Sequence, residues 1–86
     1  MKYVFVEDYI TAKATEDFKV FNSLPEATKY ADNVIAHKTK AEIQEADELI
    51  IMECDMTDAE VEAIENCESE YWYGDYCTEI VKDYKN

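Results

Sequence analysis

Six carboxylates, Asp58, Glu60, Glu62, Glu65, Glu68 and Glu70, fall within the thirteen residues from 58 to 70, and Asp75 follows among the rings of Tyr71, Trp72, Tyr73 and Tyr76. No lysine or arginine lies between residues 41 and 81 to balance them. Carboxylates so placed can exchange protons with a substrate, ligate a cation, hold water on a surface, or present negative charge to a basic partner. The first use needs a cleft that sets the pKa values of two acids apart, and a domain of 86 residues seldom encloses one. The second needs oxygen ligands alternating around a glycine, as in a calcium loop; DMTDAEVEAIE (55–65) has no glycine and reads as helix. Neither an enzyme nor a metal or cofactor site is expected.

The other candidate chemistry is nucleophilic. His37 is the single histidine, and Cys54, Cys67 and Cys77 are the thiols. A His–Cys pair requires a third group to orient it and donors for an oxyanion, and the chain's one glycine, Gly74, leaves little material for the second. His37 reads as a surface residue near a helix end. Three cysteines without a C-x-x-C are neither a disulfide framework nor a zinc knuckle, and are read as reduced thiols.

Charge narrows the remaining uses. The net charge is −13, with 21 acids against 8 cations, all of them lysines. Residues 1–40 carry six acids and six lysines, whereas 41–81 carry fourteen acids and no base. The acidity thus belongs to one half, and to one face or end of the fold. Direct binding of nucleic acid is opposed, because a binder neutralises phosphates with cations. A basic protein partner is favoured instead. The plain alternative is that the acids serve solubility.

These side chains must be held by a folded unit. A 48% hydrophobic fraction with seven tyrosines, three phenylalanines and one tryptophan is not the composition of a disordered acidic tail, and a chain this short closes one core, a single domain over 1–86. The start MKYVFVEDYI is interrupted by Glu7 and Asp8 before it makes a secretory signal, and no apolar run approaches a membrane span. The expected location is the cytoplasm of a bacterial cell, with no membrane contact; no oligomeric state is specified.

KYVFVE (2–7) reads as a central strand, DYITAKATED as a loop, and DFKVFN (17–22) as a second strand joined to the first as a hairpin. Ser23 with Glu26 forms an S-x-x-E capping box with Pro25 in the first turn, and Ala27, Tyr30, Ala31, Val34 and Ile35 make the buried stripe of the helix it opens. Thr39 with Glu42 opens a short helix ending near Ala46, and ELIIMECDM (48–56) is an interior strand. Thr57 with Glu60 starts a third helix, predicted to run from Asp58 to about Ser69 with Val61, Ile64 and then Tyr71 or Trp72 inward. Gly74–Asp75 is a turn. Residues 76–84 fit either strand or helix, and their β-branched and aromatic content favours strand. The fold class is α+β, ordered ββααβαβ, with Val4, Val6, Val20, Val34, Ile35, Leu49, Ile51 and Ile64 in one core.

On these elements the acidic helix is costly: Asp58 and Glu62, Glu62 and Glu65, Glu65 and Glu68 set like charges one turn apart, and Glu68 and Glu70 face the negative end of its dipole. A thirteen-residue helix spans about 20 Å, over which one DNA strand presents about six phosphates, so six carboxylates match a polyanion in density. Tyr71, Tyr73 and Tyr76 then serve as anchors of a protein interface, while Trp72 is the ring expected to close the core. The predicted contact surface is Asp58, Glu60, Glu62, Glu65, Glu68, Glu70, Tyr71, Tyr73, Asp75 and Tyr76.

The size, the lysine-only cations and AT-rich type of composition, and the strand-into-capped-helix segment FNSLPEATKYA (21–31) resemble the small acidic proteins of phages and mobile elements. Among these are anti-CRISPR inhibitors that act as DNA mimics. The resemblance carries no diagnostic motif, so no functional residue is transferred through it. It implies an inhibitor that binds a basic nucleic-acid-binding protein or defence complex. The alternative is an interaction module or subunit that binds through its Tyr/Trp patch, with acidity serving solubility.

Overall fold

The computed structural model describes residues 1–85. In chain order it runs β1 (Lys2–Tyr9), a one-turn helix α1 (Ile10–Lys13), β2 (Thr15–Phe21), α2 (Leu24–Ala36), α3 (Lys40–Glu45), β3 (Glu48–Cys54), α4 (Asp58–Glu65), a 3₁₀ turn (Tyr73–Tyr76) and β4 (Cys77–Asp83). The strands form one antiparallel sheet in the order β2-β1-β3-β4. The architecture is α+β as the patterns predict, and residues 77–83 are strand.

β1 and β3 sit in the middle because they are the two strands apolar on both sides of the pleat, which is stable only between two covering layers. On one face Val4 and Val6 join Ile50, Met52 and Cys54 beneath Ile64 of α4 and Tyr73. On the other, Phe5 and Ile51 meet Ala27 and Ala31 of α2; alanine on the helix stripe lets its backbone approach the sheet, and Tyr30 and Val34 fill the flanks. A third cluster, Tyr9, Ala46 and Leu49, is closed by Ile35 and Ile43 at the end of the sheet. The single core expected from periodicity is therefore three clusters, one on the α4 face of the sheet and two on the α2 face, with Val20, Val34 and Ile35 only half-buried.

The helix starts follow the caps. Ser23 Oγ accepts from Glu26 N at 3.4 Å, Thr39 Oγ1 from Glu42 N at 3.2 Å, and Thr57 Oγ1 from Glu60 N at 3.2 Å. In the last two the glutamate carboxylate reaches back to the threonine N–H, at 3.0 and 2.9 Å, so two orphan donors are satisfied at each end.

Three local expectations are corrected. Residues 8–17 are not simply a loop: β1 continues to Tyr9, α1 makes a turn with Ala14 left-handed at φ 54° to close it, and β2 begins at Thr15. α4 ends at Glu65, not near Ser69. The ring that closes the core is Tyr73, 5% exposed, while Trp72 is 47% exposed.

Candidate protein-binding surface

The short α4 has an identifiable cause. Cys67 takes a left-handed φ of 59°; its N–H donates to Ile64 O at 3.1 Å, and that of Glu68 to Ala63 O at 2.8 Å. These are the paired bonds of a Schellman ending, and they turn the chain out of the helix directly after Asn66. An eight-residue helix is about 12 Å long at 1.5 Å per residue. The regular ladder of six helical carboxylates over 20 Å is not formed.

The predicted site residues divide into groups with different duties. Asp58 pairs with Lys2 of β1, and the lysine's hydrogen bond and charge hold its carboxyl below the usual range. Glu60 is the returning arm of the Thr57 capping box; the Thr57 N–H, above all, lowers its pKa, and Tyr76 adds a further hydrogen bond. Asp75 Oδ2 accepts from Trp72 N at 2.8 Å and pins the 3₁₀ turn. These three acids have structural partners. Glu62, Glu65, Glu68 and Glu70 are exposed, and among the described residues none of them forms an ion pair. Glu62 and Glu65 stand on α4, while Glu68 and Glu70 lie on the segment that leaves it.

The rings divide too. Tyr73 stacks on Phe18 of β2, centroids 4.8 Å apart at 25°, and removal from water, with the charge of Glu65 adding to it, raises its phenol pKa. It is a core residue and is withdrawn from the predicted contact surface. Tyr76 is half-buried against Tyr71 at 6.0 Å; its phenol pKa is raised by desolvation first and by Glu60 second. Tyr71, 58% exposed, and Trp72 remain available. Trp72 leans edge-on against Phe18 at 5.3 Å, so it is positioned by the sheet without being enclosed.

The three thiols differ in setting: Cys67 is exposed and Cys77 half-buried. Cys54 is buried, and its pKa is pushed up to about 12 by burial, then by Cys77 and Glu53; such a thiol stays protonated and inert. His37 is exposed at the end of α2, with Nδ1 2.7 Å from Asn33 O. Among the described residues no group of three or more His, Cys, Asp or Glu is placed to hold a metal ion, and no helix is long and apolar enough to cross a membrane.

A second acidic feature had no signal in the linear sequence. Asp8 on β1 lies opposite Glu16 of β2 on one side and Glu48 of β3 on the other, which sets three carboxylates in a row across neighbouring strands. Two belong to the half of the chain that is neutral by count, and only strand register brings them together.

Comparison of the chain with protein-family models, with curated proteins and with solved structures finds no match.

Proposed function

We propose that this protein is an acidic protein-binding inhibitor from a phage or mobile element. It acts inside a bacterial cell by occupying the nucleic-acid groove of a basic host defence complex, of CRISPR or another type. The observation that carries this reading is the end of the molecule where Glu62, Glu65, Glu68 and Glu70 stand exposed without a cation and lead into exposed Tyr71 and Trp72. Uncompensated carboxylates repel one another in the free protein, and that repulsion is relieved when a cationic surface neutralises them. The exposed rings supply the apolar anchors that charge alone lacks, since a purely acidic surface does not distinguish one basic protein from another. Because α4 is short, imitation rests on charge placed along the outgoing loop and not on a helical repeat of phosphate spacing.

The test is competition. A basic partner recovered from a host lysate should bind tightly at low salt, lose affinity steeply as salt rises, and be displaced by DNA or RNA. Reversal of Glu62, Glu65, Glu68 and Glu70 to lysine should abolish binding while the fold survives. Simultaneous binding of protein and nucleic acid, with neither affinity changed, rules the proposal out. Exposure of Tyr71 and Trp72 favours a second reading, an interaction module that binds through the rings. In that case Tyr71→Ala abolishes binding and reversal of the four acids changes little.

A further inference from the structure

The sheet face beneath α4 is roofed over only part of its length. Register arranges that face in rows across β2, β1 and β3: Val20, Val4 and Met52, then Phe18, Val6 and Ile50, then Glu16, Asp8 and Glu48. α4 and Tyr73 cover the first rows, and the cover stops at Trp72 and Gly74. There a cavity of about 150 Å³ opens with Val6, Phe18, Ile50 and Met52 of the sheet beneath it, Trp72 at its side and Glu16 and Glu48 at its acidic end. A hollow of about 320 Å³ adjoins it, sharing Glu48 and Ile50, reaching Ile80 on the edge strand β4 and lined also by Asp47, Asp83 and Lys85; the Lys85 ammonium donates to Ala46 O, and Ile80 is 54% exposed.

We propose that this open end of the sheet face is a docking groove for a basic segment of a partner protein. The segment sets an arginine or lysine against Trp72 between Glu16 and Glu48, and an apolar side chain over Ile50 and Ile80.

The occupant follows from charge and size. Like charges directly opposite on neighbouring strands destabilise a sheet, yet here three are aligned at the end of a groove whose floor is buried and whose sides, Trp72 and Ile80, are exposed. Among the described residues neither Glu16 nor Glu48 has an ion-pair partner. Asp8 is held in line because its Oδ1 accepts from Ile10 N at 3.0 Å. The Glu16 carboxyl is raised in pKa by desolvation, then by Asp8 and Glu48, so an incoming cation meets acids already crowded together. An indole face is the preferred ring for a cation, and arginine both stacks on it and forks to carboxylates. A small organic ligand is disfavoured because its sites enclose it and bury most of its surface, whereas this groove is divided between a cavity of about 150 Å³ and a hollow that runs out to the exposed Ile80 on the edge strand. A metal ion is disfavoured because the carboxylates are spread over three strands and do not converge. A second copy of the chain would bring acid row against acid row.

This groove uses carboxylates other than Glu62 to Glu70, and its failure or success is independent of the competition experiment above. Trp72 is the only tryptophan, so intrinsic fluorescence reports the groove directly. The probe is a capped pentapeptide alternating leucine and arginine, with a glutamine-for-arginine control. The expected result is a saturable change in Trp72 emission with the arginine peptide and none with the control. Glu16→Gln/Glu48→Gln should weaken binding about tenfold, and Glu65→Gln/Glu68→Gln should leave it unchanged. Gly74→Leu should block it: a Cβ there meets nothing within 4 Å and the backbone φ is not positive, so the fold accepts a side chain at the edge of the cavity. Melting curves verify that each variant is folded. No saturable change, equal weakening by the Glu65/Glu68 pair, or full binding by the Glu16/Glu48 variant overturns the proposal. Full binding together with self-association of that last variant would make the acid row a guard against aggregation instead.

Discussion

The two faces of the sheet are built to different standards. Against one face lies the thirteen-residue α2 with two fully buried alanines on its stripe, and lysines compensate the acids around it: Lys38 pairs with Glu7 at 3.0 Å and Lys82 with Asp32 at 3.4 Å. Against the other lies the eight-residue α4, extended by a loop whose Tyr73 substitutes for missing helix. This second face carries the like-charge row, the exposed tryptophan, the left-handed cysteine and the unpaired glutamates. Natural sequences depart from local rules where function asks for it and compensate elsewhere. On the proposed reading both faces hold the fold, through the α2 stripe on one and Tyr73 on the other, and only the α4 face also gives up stability, at its open end, for binding.

The sharpest test of that division uses one large residue from each face. Ile51→Ala, beneath α2, should cost about 2–5 kcal/mol, and Tyr73→Ala about 3–5 kcal/mol. A domain of this size has roughly 4–13 kcal/mol in all, so either variant should lose a large share of its stability in a urea titration. Trp72→Ala should cost about 1 kcal/mol or less, because much of the indole stays in water. If Trp72→Ala proves as damaging as Tyr73→Ala, the loop is closed over the sheet and the groove beside Trp72 does not exist.

That exchange of roles between adjacent rings shows what could be read in advance. The capped helix starts were legible because Ser23, Thr39 and Thr57 act on backbone groups within three residues, and the central strands because Leu49–Met52 and the Val4–Val6 stretch admit no solvent on either side. The order of the strands and of the three longer helices followed, without the one-turn α1. The end of α4 was not legible, since nothing in NCES (66–69) marks a stop: no glycine supplies the left-handed residue, and Cys67 takes that conformation only because the Schellman bonds satisfy the last carbonyls. Extending the helix four residues too far rotated Tyr71 or Trp72 inward and left Tyr73 outside. The row Glu16, Asp8, Glu48 was beyond reach for another reason. It is created by pairing between segments up to 40 residues apart, and its members are unremarkable along the chain.

Charge neutralisation should separate the faces with a smaller effect. Glu16→Gln/Glu48→Gln removes two like-charge cross-strand pairs, each worth up to about 1 kcal/mol and less as salt screens them. The melting temperature should therefore rise by roughly 4–8 °C at low salt, and the gain should shrink in 0.5 M salt. Asp32→Asn, on the α2 side, should lower it instead, since Asp32 accepts from Tyr84 Oη at 2.8 Å and pairs with Lys82. A loss in both variants would mean that the acid row has a stabilising partner.

The same row fixes the shape of the pH profile. Glu16 is raised above 4.5 in the folded state, by desolvation and then by Asp8 and Glu48; its protonated form favours the fold, and this contribution is full below the unfolded value and lost as pH rises through the folded one. Glu42 and Glu60 are lowered by the Thr39 and Thr57 N–H groups. Their contribution is full above the unfolded value of 4.5 and is lost as pH falls through the folded one. As pH falls from neutral the melting temperature should first rise, as Glu16 takes up its proton, and then drop once pH falls through the lowered values of Glu42 and Glu60. Glu16→Gln should flatten the upper limb and leave the acid limb in place. A profile that falls steadily from neutral pH would sink this account of the row.

The smallest expected effect concerns the residue that ends α4. A left-handed conformation costs a residue with a Cβ about 1 kcal/mol that glycine does not incur. Glycine also enlarges the entropy lost on folding, by roughly 0.4–1 kcal/mol, so the two effects oppose each other. At Cys67, φ 59° and exposed, no packing is forfeited with the thiol, and Cys67→Gly should stabilise by at most about 0.6 kcal/mol. Ala14→Gly at φ 54° is the control beside the other end of the sheet and should behave alike. Cys67→Val sharpens the comparison, because a β-branched residue is least tolerant of positive φ. It should destabilise beyond the cost that Cys67 already bears, and hydrogen exchange should rise at the Cys67 and Glu68 amides before it rises in β3. Should Val be tolerated at 67 as well as Gly, the Schellman ending is not what stops the helix, and the longer acidic helix with its phosphate-like spacing becomes accessible again.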